Sequence, residues 1–313
     1  MSYLNNIVDK VYVINLDKDK ERLESITNQL TEQNIVFERF SAIDGSKIQN
    51  NSQFTEFCNN FCTNGTKGCA LSHRSLHESI INNNYESICI FEDDVIFNKD
   101  FNDHLQLLFG SIPSDYDIVY LGNHFYCGDT STYNQFTTKL FNVKTSEYST
   151  GVLKVAGCGG FHGYIISKQG AQKILNSKTN FHIDIDIMQL NLNAYAFHPV
   201  LVESGDNKSN LSSDFPPLLS SFISKIPVTN QNNHKSLNFI FSENLIQIGS
   251  LQINAFMVAI LIIGLLFPIN YYYIVYIWLL IEFLCSFDTT NTIIYFNLIS
   301  VPFVIKYILL RSR

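Results

Sequence analysis

The sequence predicts an α/β fold with a mainly parallel sheet, followed by C-terminal hydrophobic helices. Three observations carry that expectation. Short β-branched or aromatic runs alternate with segments of helical period, the pattern of a parallel sheet with crossover helices. One run, Ile88-Cys89-Ile90-Phe91, stops on three acids, Glu92-Asp93-Asp94. Beyond Leu245 charge nearly vanishes, leaving only Glu282, Asp288, Lys306, Arg311 and Arg313.

The elements follow in order. Residues 11–16 (VYVINL) read as a first buried strand. Leu23, Ile26 and Leu30 then mark an amphipathic helix. Residues 37–43 form a second strand, closed by the turn signal Asp44-Gly45. Residues 50–67 are polar and read as a loop. Residues 71–81 have a helical period, with Leu71, Ser75, Ser79 and Leu76, Ile80 inward and Ser72 as a candidate cap. The acid-tipped strand comes next, then a short helix over 101–109 and a strand over 118–121 that ends at Gly122-Asn123-His124. Residues 126–149 show no clear period and read as a loop over a cleft. Gly157, Gly159, Gly160 and Gly163 crowd ahead of the strand Tyr164-Ile165-Ile166. They allow close backbone approach to a ligand and match no dinucleotide or P-loop fingerprint. A helix over 168–175 is followed by His182, Asp184 and Asp186, then by residues 196–200. Residues 206–244, rich in Asn and Ser, read as a linker or loose tail.

Three apolar segments close the chain: 251–267, broken by Pro268; 269–287, with Glu282 inside; and 293–310, with Lys306 near its end. Each approaches the roughly 20 residues that span a bilayer, the first only marginally. A buried helical bundle is the alternative. Apolar residues on every face, and an interfacial belt of Tyr271, Tyr272, Tyr273, Tyr276 and Trp278, favour a membrane. Lys306, Arg311 and Arg313 favour a cytoplasmic C-terminus. Residues 1–10 lack the basic flank and apolar core of a signal peptide, so the N-terminal part is expected on the same side. That requires an even number of crossings.

Residues 1–244 hold 18 of 21 basic and 26 of 28 acidic residues, a net charge of 18 − 26 = −8. This acidic balance excludes a general nucleic-acid binder. Lys18, Lys20 and Arg22 can still meet phosphates locally. The seven cysteines are odd in number and irregularly spaced, so reduced thiols are expected. Cys58, Cys62, Cys69 and His73 also have a spacing compatible with zinc, without a tight knuckle pair.

The triplet Glu92-Asp93-Asp94 reads either as a metal site or as an acidic turn after a strand. Clustered carboxylates repel unless a cation neutralises them, and hard divalent ions prefer oxygen ligands. Alternate strand residues face opposite ways, so Glu92 and Asp94 are expected on one face and Asp93 on the other.

Five ordered blocks then carry a resemblance: Val11 to Asp17 with Arg22; Phe37-Glu38-Arg39-Phe40-Ser41-Ala42-Ile43-Asp44-Gly45; Gly68-Cys69-Ala70-Leu71-Ser72-His73; Phe91-Glu92-Asp93-Asp94-Val95; and His162-Gly163-Tyr164-Ile165-Ile166-Ser167 with Gly170-Ala171. Ile183-Asp184 and Pro199-Val200 extend the set as far as Asp214. Together they resemble glycosyltransferase family 25, which includes lipooligosaccharide and collagen galactosyltransferases. The resemblance implies a GT-A type, Rossmann-like nucleotide-sugar transferase with a UDP-hexose donor, commonly UDP-galactose, a divalent ion such as manganese, and inversion at the sugar carbon. It implies a catalytic domain over 1–215; composition adds a linker over 216–248 and a membrane-associated segment of two to three helices over 249–313, which lies outside the resemblance. The acceptor is a glycan, lipid-linked or protein hydroxyl. One departure is Glu203, where the family usually carries Gln.

On that reading Asp94 and Glu92 hold the metal. Asn15, Asp17, Arg22, His73, Glu92 and Asp93 bind the donor. Asp184, then Asp186, is the general base. His162 and His198 are candidates to complete a metal shell. The competing readings are an inactive membrane-tethered protein of the same fold and a metal-dependent phosphohydrolase.

Overall fold

The computed structural model describes residues 2–205, 211–213, 216–230 and 235–311. The chain divides into two compact units, Met1–Lys208 with Val228–His234, and Ser209–Pro227 with Lys235–Arg313. The first unit opens with α1 (Tyr3–Ile7), β1 (Lys10–Asn15), α2 (Lys20–Glu32), β2 (Glu38–Ser41), α3 (Glu56–Phe61) and α4 (Asn64–Asn83). It continues through β3 (Ser87–Glu92), β4 (Val95–Phe97), α5 (Phe101–Phe109), β5 (Ile118–Gly122), α6 (Thr132–Leu140), β6 (Thr145–Ser149) and β7 (Val152–Val155). It closes with β8 (Gly163–Ser167), α7 (Lys168–Leu175), α8 (Ile183–Ile187), β9 (Ala194–Phe197) and β10 (Val202–Ser204).

Eight strands form one sheet in the order β2-β1-β3-β8-β5-β9-β7-β6. β1 runs parallel to β2 and β3, and β5 parallel to β9. β8 is antiparallel to both β3 and β5, and the β6–β7 hairpin adds two more antiparallel pairings at one edge. The sheet is therefore mixed, where a mainly parallel one was expected. The chain reaches β8 at the edge where β3 and β5 end, since Gly163 lies opposite both Phe91 and Gly122. From there it can only run back.

The strand period of two divides the core into layers. Ile88 and Ile90 of β3 join Leu76 and Ile80 of α4 and Ala171 and Ile174 of α7. Cys89 and Phe91 join Leu4 of α1, Ile26 and Leu30 of α2, and Phe101 and Leu105 of α5. Burial of each such large side chain contributes about 1.5–3 kcal/mol. Glu92, next in step after Ile90, is thereby delivered to the α4 side.

Several expectations are corrected. Residues 50–67 are a loop only as far as Thr55, which caps α3 by accepting from the Cys58 amide; Thr63 then caps α4 by accepting from the Thr66 amide. The start of α4 packs through glycine, which leaves no apolar period to read. A Cβ on Gly68 would lie 2.5 Å from the Ile43 carbonyl oxygen and 2.9 Å from the Gly45 nitrogen. Ser72 is consequently inside the helix rather than capping it, and its hydroxyl accepts from the Ile43 amide at 2.8 Å. Residues 126–149 contain α6, capped by Ser131, and strand β6. The cysteines are not all reduced: Cys58–Cys62 and Cys127–Cys158 are disulfides, while Cys69, Cys89 and Cys285 are free. One helical turn brings the first pair together, and the Phe125–Gly159 bridge aligns the second. With Cys58 and Cys62 joined, the zinc set of Cys58, Cys62, Cys69 and His73 is ruled out.

The second unit holds α9 (Pro217–Ile223), α10 (Leu237–Ser242), the hairpin β11 (Asn244–Ile248) and β12 (Leu251–Asn254), and helices α11 (Ala255–Leu266), α12 (Tyr272–Ser286) and α13 (Thr289–Arg311). The stretch expected to be a linker thus carries structure. The first apolar segment begins as β12, and its helix of 12 residues rises about 18 Å, short of a bilayer core of about 30 Å. Two helices, Ile269–Ser286 and Thr289–Arg311, are long and apolar enough to cross a membrane. Glu282 inside α12 is buried and accepts from the Leu218 and Leu219 amides at 3.0 and 2.8 Å, at the start of α9. Asp206, Asp214 and Arg313 lie outside the described residues.

Candidate active site

β1, β3, β5 and β9 all end at one edge of the sheet, where β8 begins. That edge gathers Asn15, Glu92, Gly122, Asn123, His124 and His162. Carboxyl ends of strands are where α/β sheets bind ligands.

β3 stops at Glu92, and Asp93-Asp94 form the turn into β4. Strand alternation therefore ends at Glu92, and the expected pairing of Glu92 with Asp94 on one strand face does not apply. Glu92 Oε1 lies 3.1 Å from His73 Nε2 and 4.0 Å from Cys69 Sγ. Burial pushes the Glu92 carboxyl up, but the His73 hydrogen bond, with smaller lowering contributions from His73 and His162, holds the group below its ordinary value. Asp93 turns the other way. It accepts from Asn15 Nδ2 at 2.6 Å and faces Arg22 at 3.4 Å, yet burial dominates and holds it above the ordinary range.

Asp94 is half-buried, and its carbonyl accepts from the Gly205 amide at 2.7 Å. Burial raises the Cys69 thiol well above its ordinary value, and Glu92, Asp184 and Asp94 each raise it further. Glu92 and Asp94 from the end of β3 and its turn, and Asp184 from α8, thus act on one half-buried thiol.

Asp184 sits in α8. Its Oδ2 accepts from the Gly160 amide at 2.8 Å, and its Oδ1 meets His182 Nδ1 at 3.1 Å and the Ile185 amide at 2.9 Å. Gly160 has φ +93°, a conformation that suits glycine and presents its N–H to Asp184. Burial raises the Asp184 carboxyl, but His182 and the two amides bring it below the ordinary range. Asp186 is engaged elsewhere: Oδ2 accepts from the Asn180 and Phe181 amides at 2.7 and 3.1 Å, closing the turn before α8.

At the β1 side Arg39 donates to Asn15 Oδ1 at 2.9 Å and also pairs with Asp17, which accepts from Ser41 Oγ at 2.9 Å. The Arg39 hydrogen bond, then that of Ser41, holds the Asp17 carboxyl below its usual range. Lys18 and Lys20 are exposed.

Sequence reasoning did not single out Arg39, Tyr164, His77 or His124 as members of the site, and it considered Cys69 only as a zinc ligand. Arg39 had one signal, a cation in a strand that pairs with Val13 beside the first strand's end. His124 Nε2 lies 3.2 Å from Ser204 Oγ, and its ring centroid is 4.7 Å from that of His162. His162 also accepts the Glu92 amide on its carbonyl at 2.9 Å. His198 instead packs against Gly128 and donates its amide to the Gly151 carbonyl at 3.0 Å. Glu203 is buried on β10, opposite Ile96 of β4.

The family "Glycosyltransferase family 25 (LPS biosynthesis protein)" matches residues 8–189. The chain is 28% identical over 184 residues to human "Procollagen galactosyltransferase 2", covering 54% of this chain and 28% of that protein. It is 30% identical over 185 residues to Xenopus laevis "Procollagen galactosyltransferase 1-B", covering 54% of this chain and 28% of the relative. A Bos taurus protein named "Probable inactive glycosyltransferase 25 family member 3" is 25% identical over 187 residues, covering 54% of this chain and 29% of its own. The chain therefore spans less than a third of the length of these curated relatives.

Proposed function

The chain belongs to glycosyltransferase family 25, and from that membership we propose a metal-dependent, inverting hexosyltransferase of GT-A type that moves galactose from UDP-galactose. The acceptor is a hydroxyl of a glycan, a lipid-linked sugar or a protein. The relatives named as galactosyltransferases support the donor assignment. The observation that carries the reading is the cluster at the strand-end edge, where Glu92 lies 3.1 Å from His73 Nε2 and 4.0 Å from Cys69 Sγ and is followed in the turn by Asp93 and Asp94.

Crowded carboxylate oxygens fit a hard divalent ion, manganese here, with Asp94 and Glu92 as the protein ligands. Such an ion supplies charge stabilisation to the departing diphosphate. Asn15, Asp17, Arg22 and Asp93, together with Arg39, form the donor-binding side. His73 acts on the donor side through Glu92. The sugar–phosphate oxygen bond breaks with its electron pair leaving on UDP, and the acceptor oxygen attacks the opposite face of the sugar carbon. The acceptor proton goes to Asp184, which is ionised at neutral pH because its carboxyl is held low. Asp186 is the second base candidate, and its Oδ2 closes the turn before α8 by accepting from the Asn180 and Phe181 amides.

Helices α12 and α13 are read as the tether to a membrane. Lys306 and Arg311 favour a cytoplasmic end for α13. Paired cysteines favour an oxidising compartment, so a cytoplasm-facing catalytic unit requires these pairs to be reduced.

A second reading, an inactive protein of the same fold, is favoured by the relative named as inactive and by Glu203. Asp94→Asn in the full chain separates the two. The transferase reading expects manganese-dependent UDP-galactose turnover in the wild type and its collapse by at least about 100-fold in D94N, the scale of lost charge stabilisation at a reacting centre. Equal turnover in both proteins contradicts it.

A further inference from the structure

One stripe of α4 holds more polar chemistry than the proposed reaction uses. Cys69, His73 and His77 are each one turn apart, at i, i+4 and i+8, on a single face of the helix. Between them stand side chains from the sheet. Tyr164 Oη is 2.9 Å from His73 Nδ1 and 2.9 Å from His77 Nε2. His73 Nε2 is 3.1 Å from Glu92 Oε1. His73, His77 and Tyr164 are all buried, and Phe161 stacks on Tyr164 with ring centroids 3.9 Å apart.

The protons of this chain can be counted. An ionised Glu92 has none to give, so His73 must donate from Nε2. A neutral His73 then has a bare Nδ1, which must accept from the Tyr164 hydroxyl. The Tyr164 oxygen must in turn accept from His77 Nε2–H. This leaves His77 Nδ1 without a proton, and that atom is buried with no hydrogen-bond partner among the described residues. The count closes. The reverse arrangement, with His73 doubly protonated, puts a hydrogen on His77 Nδ1 where nothing accepts it, a costly buried donor.

We infer that His77, Tyr164 and His73 are positioning residues for Glu92: a one-way chain of neutral donors that aims the carboxylate at the strand-end edge without adding a positive charge beside it. Only the use of Glu92 for the ion and donor rests on the proposed function; the hydrogen-bond direction does not. A corollary is that His73 Nε2 carries a proton and is no metal ligand in this arrangement, although Cys69, His73 and Glu92 have metal-ligating atoms within 4.8 Å of one another.

The test is nitrogen-15 NMR of the histidine rings in the full chain without metal, followed by manganese titration of variants. Wild type is expected to show His73 and His77 both neutral and protonated at Nε2. Y164F and H77L are expected to weaken manganese binding about 10–100-fold, the scale for groups that orient metal ligands. H77Q, which keeps an N–H donor toward Tyr164, is expected to retain more of the affinity than H77L. An Nδ1–H or doubly protonated His73 overturns the inference, as does an equal effect, or no effect, of H77L and H77Q. The ring assignment needs no variant to fold and no turnover. D94N retaining full turnover would count against the transferase reading while leaving the tautomers unaffected.

Discussion

Asp184, the proposed general base, shows how neighbours set the charge of a buried side chain. A buried aspartate is ordinarily driven toward its neutral form. Here His182 and the Gly160 and Ile185 amides reverse that drive. The sign of the pH dependence follows. Because the folded-state carboxyl is held below its ordinary value of about 3.9, its contribution to stability is fully present above that value. The contribution is lost as pH falls through the folded-state value. Asp184→Asn keeps the shape and removes the base, so kcat should fall about 10²–10⁴-fold with little change in donor KM. Steady-state kinetics check this, and an unchanged kcat removes Asp184 from the role. At this scale the sequence was informative where charge stood against an apolar background, as in Glu92-Asp93-Asp94. It was silent on Tyr164 and His77, whose meaning depends on partners 91 and 87 positions away in the chain.

The turn at Gly45 and the helix α4 are held together by the absence of side chains. A Cβ on Gly45 would fall 1.6 Å from the Asn64 carbonyl oxygen, and one on Gly68 would meet backbone on two sides. Backbone cannot step aside as a side-chain tip can, so Gly68→Ala should cost about 1–3 kcal/mol or more. Chemical denaturation of the full chain measures it, and a loss under about 0.5 kcal/mol, typical of a neutral surface change, contradicts the contact. The same contact explains why α4 was legible only in its later turns. Apolar periodicity marks Leu71, Leu76 and Ile80, but the first turns pack through Gly68 and cap on Thr63. α6 and β6 were missed for a related reason. α6 leaves Phe136, Leu140 and Phe141 exposed, so its apolar residues do not trace a buried stripe. β3, β5 and β8 were legible because apolar runs without alternation mean burial on both faces.

The whole chain combines a sheet unit rich in buried polar contacts with a second unit containing two long apolar helices. Composition alone separated the charged part from the apolar part. The order of β8 within the sheet was not legible, because strand direction depends on which edge the chain reaches first. Nor were the disulfides, whose cysteines lie 4 and 31 positions apart with no framework spacing. Alkylation of the isolated protein before reduction, read by peptide mass, is expected to find Cys58–Cys62 and Cys127–Cys158 linked and Cys69, Cys89 and Cys285 free. Seven free thiols would contradict that pairing and restore a reducing environment for the sheet unit.

The strand-end acids are proposed to form a metal-assisted site for a sugar nucleotide. Calorimetric titration of the full chain with UDP-galactose, with and without manganese, tests it most directly. Donor binding is expected to appear only with the ion and to be lost in D94N. Folded protein that binds no donor at any manganese concentration, or binds it equally well in the D94N variant, would contradict it.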